Sequence, residues 1–495
     1  MKYFLRPRLE LPCEVIEGRA VLPLYSIAFS YGRLIKIAIS QEWKGESYCL
    51  LVKSIPYRLC SSSAAGVQKP PPCPRRKQPT SQRLWARQTR IRGNQSGFRP
   101  SVPIPPQASL GFAEPMKHQM KGTLMTNCGP NKYDVVGSFL RPAKLKEARE
   151  AFAAGTLDAT ALKVVEDECI TDLIAKEKTA GLRFITDGEF RRATWHLDFM
   201  WAFDGIGHAA TKDGLPFHDE AAKIDDTFLT GKVVLTTEHP FVEHYRFVAQ
   251  FEDEQTTAKL TIPAPAQFIE QFIMPMNREA TEAHYADDVA LEDDIVAAYG
   301  QFISQLYAAG CRNLQFDDCS WGCLVDPKAE MFFGTDQAGL ARIKEQLLRI
   351  NNRVLDAAPA DLRINTHVCR GNFHSTWACE GGYDGVADAL LANEHVNAFF
   401  LEFDDERSGS FAPLASVPAG KQVVLGLITT KRAELEDKQA VIARIHKAAK
   451  YVPLENLCLS PQCGFASCEI GNKLTEEQQW AKVALVREIA EEVWG

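Results

Sequence analysis

Ile364-Asn-Thr-His-Val-Cys-Arg-Gly-Asn372 reads as a buried strand that delivers polar side chains at its end. Residues two apart in an extended strand face the same side, so the imidazole of His367 and the thiol of Cys369 point the same way. A His-x-Cys pair taken alone is equally well core packing. What lies on either side of it carries the argument.

Upstream, residues 336–357 carry apolar positions at helical spacing, and Asn313-Leu-Gln-Phe-Asp-Asp318 before them is a short strand ending in acid. The same alternation runs back to Tyr133-Asp-Val-Val-Gly-Ser-Phe139, a strand with a Gly-Ser turn followed by helices over 143–153 and 159–180. Further strands are expected at 182–187 and 258–263, with a helix over 288–309. Between them, residues 191–256 form an aromatic-rich excursion with a hairpin expected around Lys232-Val-Val-Leu-Thr-Thr237. Downstream come strands at 398–402, 422–428 and 456–460, and helices near 434–450 and 475–493. Eight strands alternating with helices predict a parallel sheet closed into a (β/α)8 TIM barrel over 126–495. Such barrels place their chemistry at the C-terminal ends of the strands.

Two later strand ends then matter. Ala398-Phe-Phe-Leu-Glu-Phe-Asp404 brings Glu402, and Leu457-Cys-Leu-Ser-Pro-Gln-Cys-Gly464 brings Cys463 into a turn. With His367 and Cys369 they make an N, S, O, S donor set suited to zinc with an exchangeable position. Other strand ends carry Ser138, Glu189, Asp317 and Asp318. Ser138 and Asp318 suit helix capping as well as binding. Carboxylates in a barrel mouth are costly unless they meet a cation, and for Glu189 and Asp317 the amino group of a substrate would serve.

This constellation resembles the catalytic domain of cobalamin-independent methionine synthase, over roughly residues 133–495. His367, Cys369, Glu402 and Cys463 fall in the order of that family's zinc ligands. Val136-Gly-Ser-Phe139, Asp187-Gly-Glu-Phe-Arg191 and Gln315-Phe-Asp-Asp318 are similar to its amino-acid-binding motifs. The resemblance implies that Ser138 contacts the amino acid and that Glu189 and Asp317 hold the homocysteine amino group. There are departures. Leu425-Gly-Leu-Ile-Thr-Thr-Lys-Arg432 has Thr429 where the family carries a histidine implicated in methyl transfer. Thr261-Ile-Pro-Ala-Pro-Ala-Gln267 lacks the tryptophan expected beside the pterin of a folate donor. One barrel fits this chain where the long family form has two, so the short single-barrel branch is the better match.

The expectation is therefore a zinc-dependent thiol methyltransferase. Zn2+ lowers the pKa of a bound thiol, homocysteine is the acceptor, methionine the product, and the methyl donor is unidentified. A related alternative keeps the activated thiol but takes another electrophile, such as an epoxide. Hydrolysis is less suited, because two thiolates and a carboxylate make the metal electron-rich. A purely structural zinc usually carries more cysteines, closer together. Of the remaining candidates, the cluster Trp195-His-Leu-Asp-Phe-Met-Trp201 packs against or covers the site, with His196 in it. Trp321 and Cys323 are placed to line the pocket, and Arg407 to meet a substrate carboxylate or lie in a solvated loop. Cys379 and Cys468 read as bystanders.

Charge divides the chain. Residues 1–125 hold 20 Lys and Arg against 6 Glu and no Asp, a net of +14, so the rest carries −21 of the overall −7. Residues 61–108 are dense in Ser, Pro, Arg and Gln, a composition that predicts disorder. The extension over 1–125 reads as a targeting segment, a basic arm, or a stretch ahead of a true start near Met120 or Met125, the last being preferred. Neither nucleic acid nor membrane is expected as a partner. The 14 cysteines lack a secreted-type framework, and a thiolate-ligated metal fits a reducing compartment, so the cytoplasm is expected.

Overall fold

The computed structural model describes residues 132–212 and 214–495, and the backbone of four short strands nearer the N-terminus. Those four, Glu14–Ile16 with Arg19–Val21 and Ser26–Phe29 with Arg33–Lys36, pair as two antiparallel hairpins. The sequence over 1–55 shows no alternation that foretells them. The rest of the predicted disordered extension lies outside the described residues.

The remainder of the chain is built on the barrel. The segment 133–136, labelled β1, joins it through one bridge residue, Tyr133. Its strands are β2 (Phe184–Ile185), β3 (Thr257–Ala258 and Leu260–Pro263), β4 (Asn313–Asp318), β5 (Arg363–Val368), β6 (Ala398–Glu402), β7 (Gln422–Ile428) and β8 (Leu457–Pro461). From β3 to β8 each strand pairs in parallel with the next in sequence, and β2 pairs with the first part of β3. The ring closes through β1. Tyr133 bridges Leu459 of β8 in parallel, while the Thr186 hydroxyl donates to the Gly137 carbonyl at 3.0 Å. Every residue of β6, β7 and β8 is buried, as expected of parallel strands covered on both faces.

Long helices cover the outside: α1 (Ala143–Ala153), α2 (Ala159–Thr179), α5 (Asp288–Ala308), α6 (Gln337–Ala357), α7 (Lys438–Ala448) and α8 (Glu476–Trp494). Aspartates 158, 287, 336 and 437 cap four of them, each accepting a backbone N–H three residues on. Thr475 and Gln478 form a reciprocal capping box on α8. Two shorter helices join them, α3 (Pro240–Ala249) and α4 (Pro265–Ile273). Both begin on a proline, whose fixed φ suits a first helical position. Alternation had suggested only excursion and strand there.

The excursion also differs from expectation. Asp226–Val234 pairs with Asp204–Ala209, so the hairpin starts earlier than residue 232 and stops at Val234. His239 then caps α3, accepting from the Phe241 N–H at 3.1 Å. The tip of this arm reaches the loop after β5. Phe217 packs on Phe373 with ring centroids 5.3 Å apart, and Glu220 meets His374 at 2.8 Å. Among the described residues, no helix is long and apolar enough to cross a membrane.

Candidate active site

At the C-terminal ends of the strands lies a small cavity, lined by residues that include Ser138, Glu189, Asp317, His367, Cys369 and Cys463. His367 is the last but one residue of β5, with Asp317 of β4 paired directly beside it. Cys369 follows on the same face, and Cys463 comes from the turn after β8. The ligand atoms of His367, Cys369 and Cys463 all lie within 4.8 Å of one another, and the two sulfurs are 3.5 Å apart. Ligands on one tetrahedral ion with bonds of about 2.3 Å sit ~3.8 Å apart, so only small adjustments are needed. Both ring nitrogens of His367 are buried, and among the described residues no group apart from the Cys369 thiol beside them meets them. Such atoms are costly to leave unmatched, and a cation between the three side chains would satisfy one of them.

The thiols polarise one another. Hydrogen bonds from Cys319 and Cys463 pull the Cys369 thiol well below its usual range, while theirs are pushed up. Cys319 lines the same cavity. It stands directly after Asp317-Asp318 and was legible only as a strand-end neighbour.

Glu402 is not part of the three-ligand group. Its Oε1 accepts from Arg407 at 2.9 Å and Lys431 at 3.2 Å, and its Oε2 accepts from the Arg370 N–H at 3.0 Å. Arg407 and Lys431 also bind Asp404. Arg407 lies over the Trp377 ring at 4.5 Å, with its side chain 8% exposed, and is not a solvated loop residue.

The carboxylates opposite the thiols are differently placed. Glu189 sits at φ +61°, a left-handed backbone uncommon for a residue with a side chain. Its Oε1 accepts from the Thr261 hydroxyl at 2.9 Å and lies 3.3 Å from Arg192, whereas Oε2 is buried without a partner. Burial raises its pKa, with Arg192 and Arg141 opposing. Asp317 accepts from Gln315 at 2.8 Å, and burial pushes it up to about 7. Ser138 faces the Cys463 turn closely enough that a Cβ on Gly464 would stand 1.9 Å from its hydroxyl, so glycine is required there.

Arg141 locks the loops together. It donates to the carbonyls of Phe139, Ala466 and Glu189, joining the loops after β1, β8 and β2. Asn372 donates to the Gly464 carbonyl at 2.8 Å. Neither residue carries a sequence signal beyond its type, because their partners are distant in the chain. Trp195 lines the cavity and stacks on His196, whose pKa burial lowers to about 3. Trp321 is fully buried and does not line the cavity, and Thr429, also buried, is not among its walls.

Residues 133–492 match the family model described as cobalamin-independent synthase, catalytic domain. The chain belongs to that family. It is an enzyme of the methyltransferase class, as the resemblance implied. It is 44% identical over 369 residues to YxjH of Bacillus subtilis (strain 168), an uncharacterized protein, covering 74% of this chain and 95% of that one. A solved structure of a putative vitamin-B12 independent methionine synthase from Listeria monocytogenes is similar at 35% identity and a TM-score of 0.58, over 74% of this chain and 98% of that one. A methionine synthase of Saccharolobus solfataricus is 22% identical over 339 residues, 67% of this chain and 86% of its own.

Proposed function

We propose that this chain methylates the sulfur of homocysteine to give methionine, at a zinc ion held by His367, Cys369 and Cys463 with Glu402 as fourth donor through Oε2. One observation carries the reading. A three-ligand cluster with an unsatisfied imidazole shares its cavity with two buried carboxyls aimed at the same space. When bound, zinc supplies the Lewis acidity that keeps a thiol ionised at neutral pH. In-line displacement at a methyl carbon then needs no general base, so the residues of this chain have to position and desolvate.

Glu189 and Asp317 hold the ammonium of the amino acid, Glu189 through the oxygen that lacks a partner. A cation there offsets the cost of burying both carboxylates. Ser138 and the Cys463 turn orient the other end of the substrate. Trp195 and the arm that ends on Phe373 limit access of water. On the other side Thr429 accepts from the Lys431 N–H at 3.3 Å, a turn contact, so no histidine handles a proton for the leaving group there. That observation favours a donor other than the folate of the long enzymes, and an electrophile such as an epoxide is the second reading.

Zinc K-edge absorption on the full chain, with and without homocysteine, tests the proposal. The expected result is two sulfur neighbours at about 2.3 Å becoming three on addition. An unchanged shell rejects homocysteine as the acceptor.

A further inference from the structure

A second pair of thiols lies beside the site, on the two loops that carry it. Cys323 belongs to the short helix Ser320–Val325 that follows β4, and Cys379 to the loop after β5. Their sulfurs are 3.3 Å apart, closer than those of Cys369 and Cys463. Cys379 is buried and Cys323 is half-buried.

The two segments meet directly: the Glu380 N–H donates to the Asp326 carboxylate at 2.8 Å, while the Cys379 N–H donates to the Arg370 carbonyl at 2.9 Å within the loop after β5. A Cβ on Gly381 would stand 2.4 Å from the Val325 carbonyl oxygen, and one on Gly322 would stand 2.4 Å from that of Cys369. Both glycines permit a main-chain approach that any other residue would block.

Two close thiols suit either a metal or a disulfide. Among the described residues, three ligand atoms converge at His367, Cys369 and Cys463, and not here. The Glu270 carboxyl lies against Cys323, and burial pushes its pKa up to about 8.

We infer that Cys323 and Cys379 are an oxidisable dithiol, which hydrogen peroxide closes reversibly into a disulfide joining the loops after β4 and β5. The Cys323 sulfur attacks the peroxide O–O bond, giving a sulfenic acid and one water. Cys379 then displaces the sulfenic oxygen as a second water, and the S–S bond forms. Two thiols lose two electrons and two protons, and the peroxide takes up both. A small dithiol reverses the step by exchange. The sulfurs have to close from 3.3 Å to about 2.05 Å, a movement of a little over 1 Å. Oxidation would thereby tether the loop carrying Cys319 to the one that starts at Cys369.

The test uses the reduced full chain treated with hydrogen peroxide, measured by intact mass before alkylation and by peptide mapping after it. The expected result is a loss of about 2 Da, a cross-linked peptide joining Cys323 to Cys379, and recovery with dithiothreitol. Metal content stays unchanged. Cys323→Ser abolishes the loss, whereas Cys369→Ser keeps it. Stepwise gains of about 16 Da without a cross-link, or a Cys369–Cys463 peptide formed with loss of metal, would overturn the inference.

Discussion

Two groups of buried polar residues stand side by side at the strand ends, and they differ in how their hydrogen bonds are met. Around Glu402 both carboxylate oxygens have donors: Arg407 and Lys431 share Glu402 and Asp404, and the Arg370 N–H takes the remaining carboxylate oxygen, while Nη1 of Arg407 is left without a partner. Across the cavity, the imidazole of His367 and Oε2 of Glu189 lack a well-formed hydrogen bond. Most buried polar atoms in native proteins are satisfied, so two unmet groups lining one cavity point to a bound species there. The first group is a brace and the second a receptor. Glu402 lies on the boundary, and our zinc assignment gives it both roles.

Three substitutions break or sharpen this contrast. Removing a ligand has the largest effect. Cys463→Ser should strip the zinc and lower activity by about 10⁴-fold, ~5.5 kcal/mol of transition-state stabilisation, while circular dichroism stays native. Zinc analysis of the purified variant checks it, and full retention of metal removes Cys463 from the ligand set. Next comes the brace. Lys431→Met leaves two buried carboxylates sharing Arg407 alone, at an expected cost of ~3–5 kcal/mol in denaturant unfolding. Its zinc content should match that of the parent chain. If metal falls in step with stability, the two groups are one unit and the contrast fails. The smallest effect is expected on the receptor side. Glu189→Gln should raise the homocysteine KM about 10- to 100-fold, ~1.4–2.7 kcal/mol, with kcat little changed. A fall in kcat at constant KM would instead place Glu189 in the chemical step.

Much of this was legible in the sequence because it is local. The six long helices follow from apolar spacing, five of them opened by an Asp or Thr cap, and the buried parallel strands from short apolar runs ending in polar residues. His367 and Cys369 are two apart on one strand, so their shared direction needs no tertiary information. Helices α3 and α4 were missed because each is short and opens on a proline that also reads as a break in a loop. The hairpin was misplaced because the partner of Asp226–Val234 lies 17 or more residues upstream.

The sequence by itself determined the barrel, the order of the strand ends and the residue types they carry, since strand period and helix caps act over a few residues. Only the tertiary structure decided which of those ends meet. It grouped His367 and Cys369 with Cys463, 94 residues beyond Cys369, turned the Oε1 of Glu402 toward Arg407 and Lys431, and set Cys323 against Cys379. Closing eight strands into a ring brings distant loops to one rim, and the contacts made there depend on packing that no local pattern encodes.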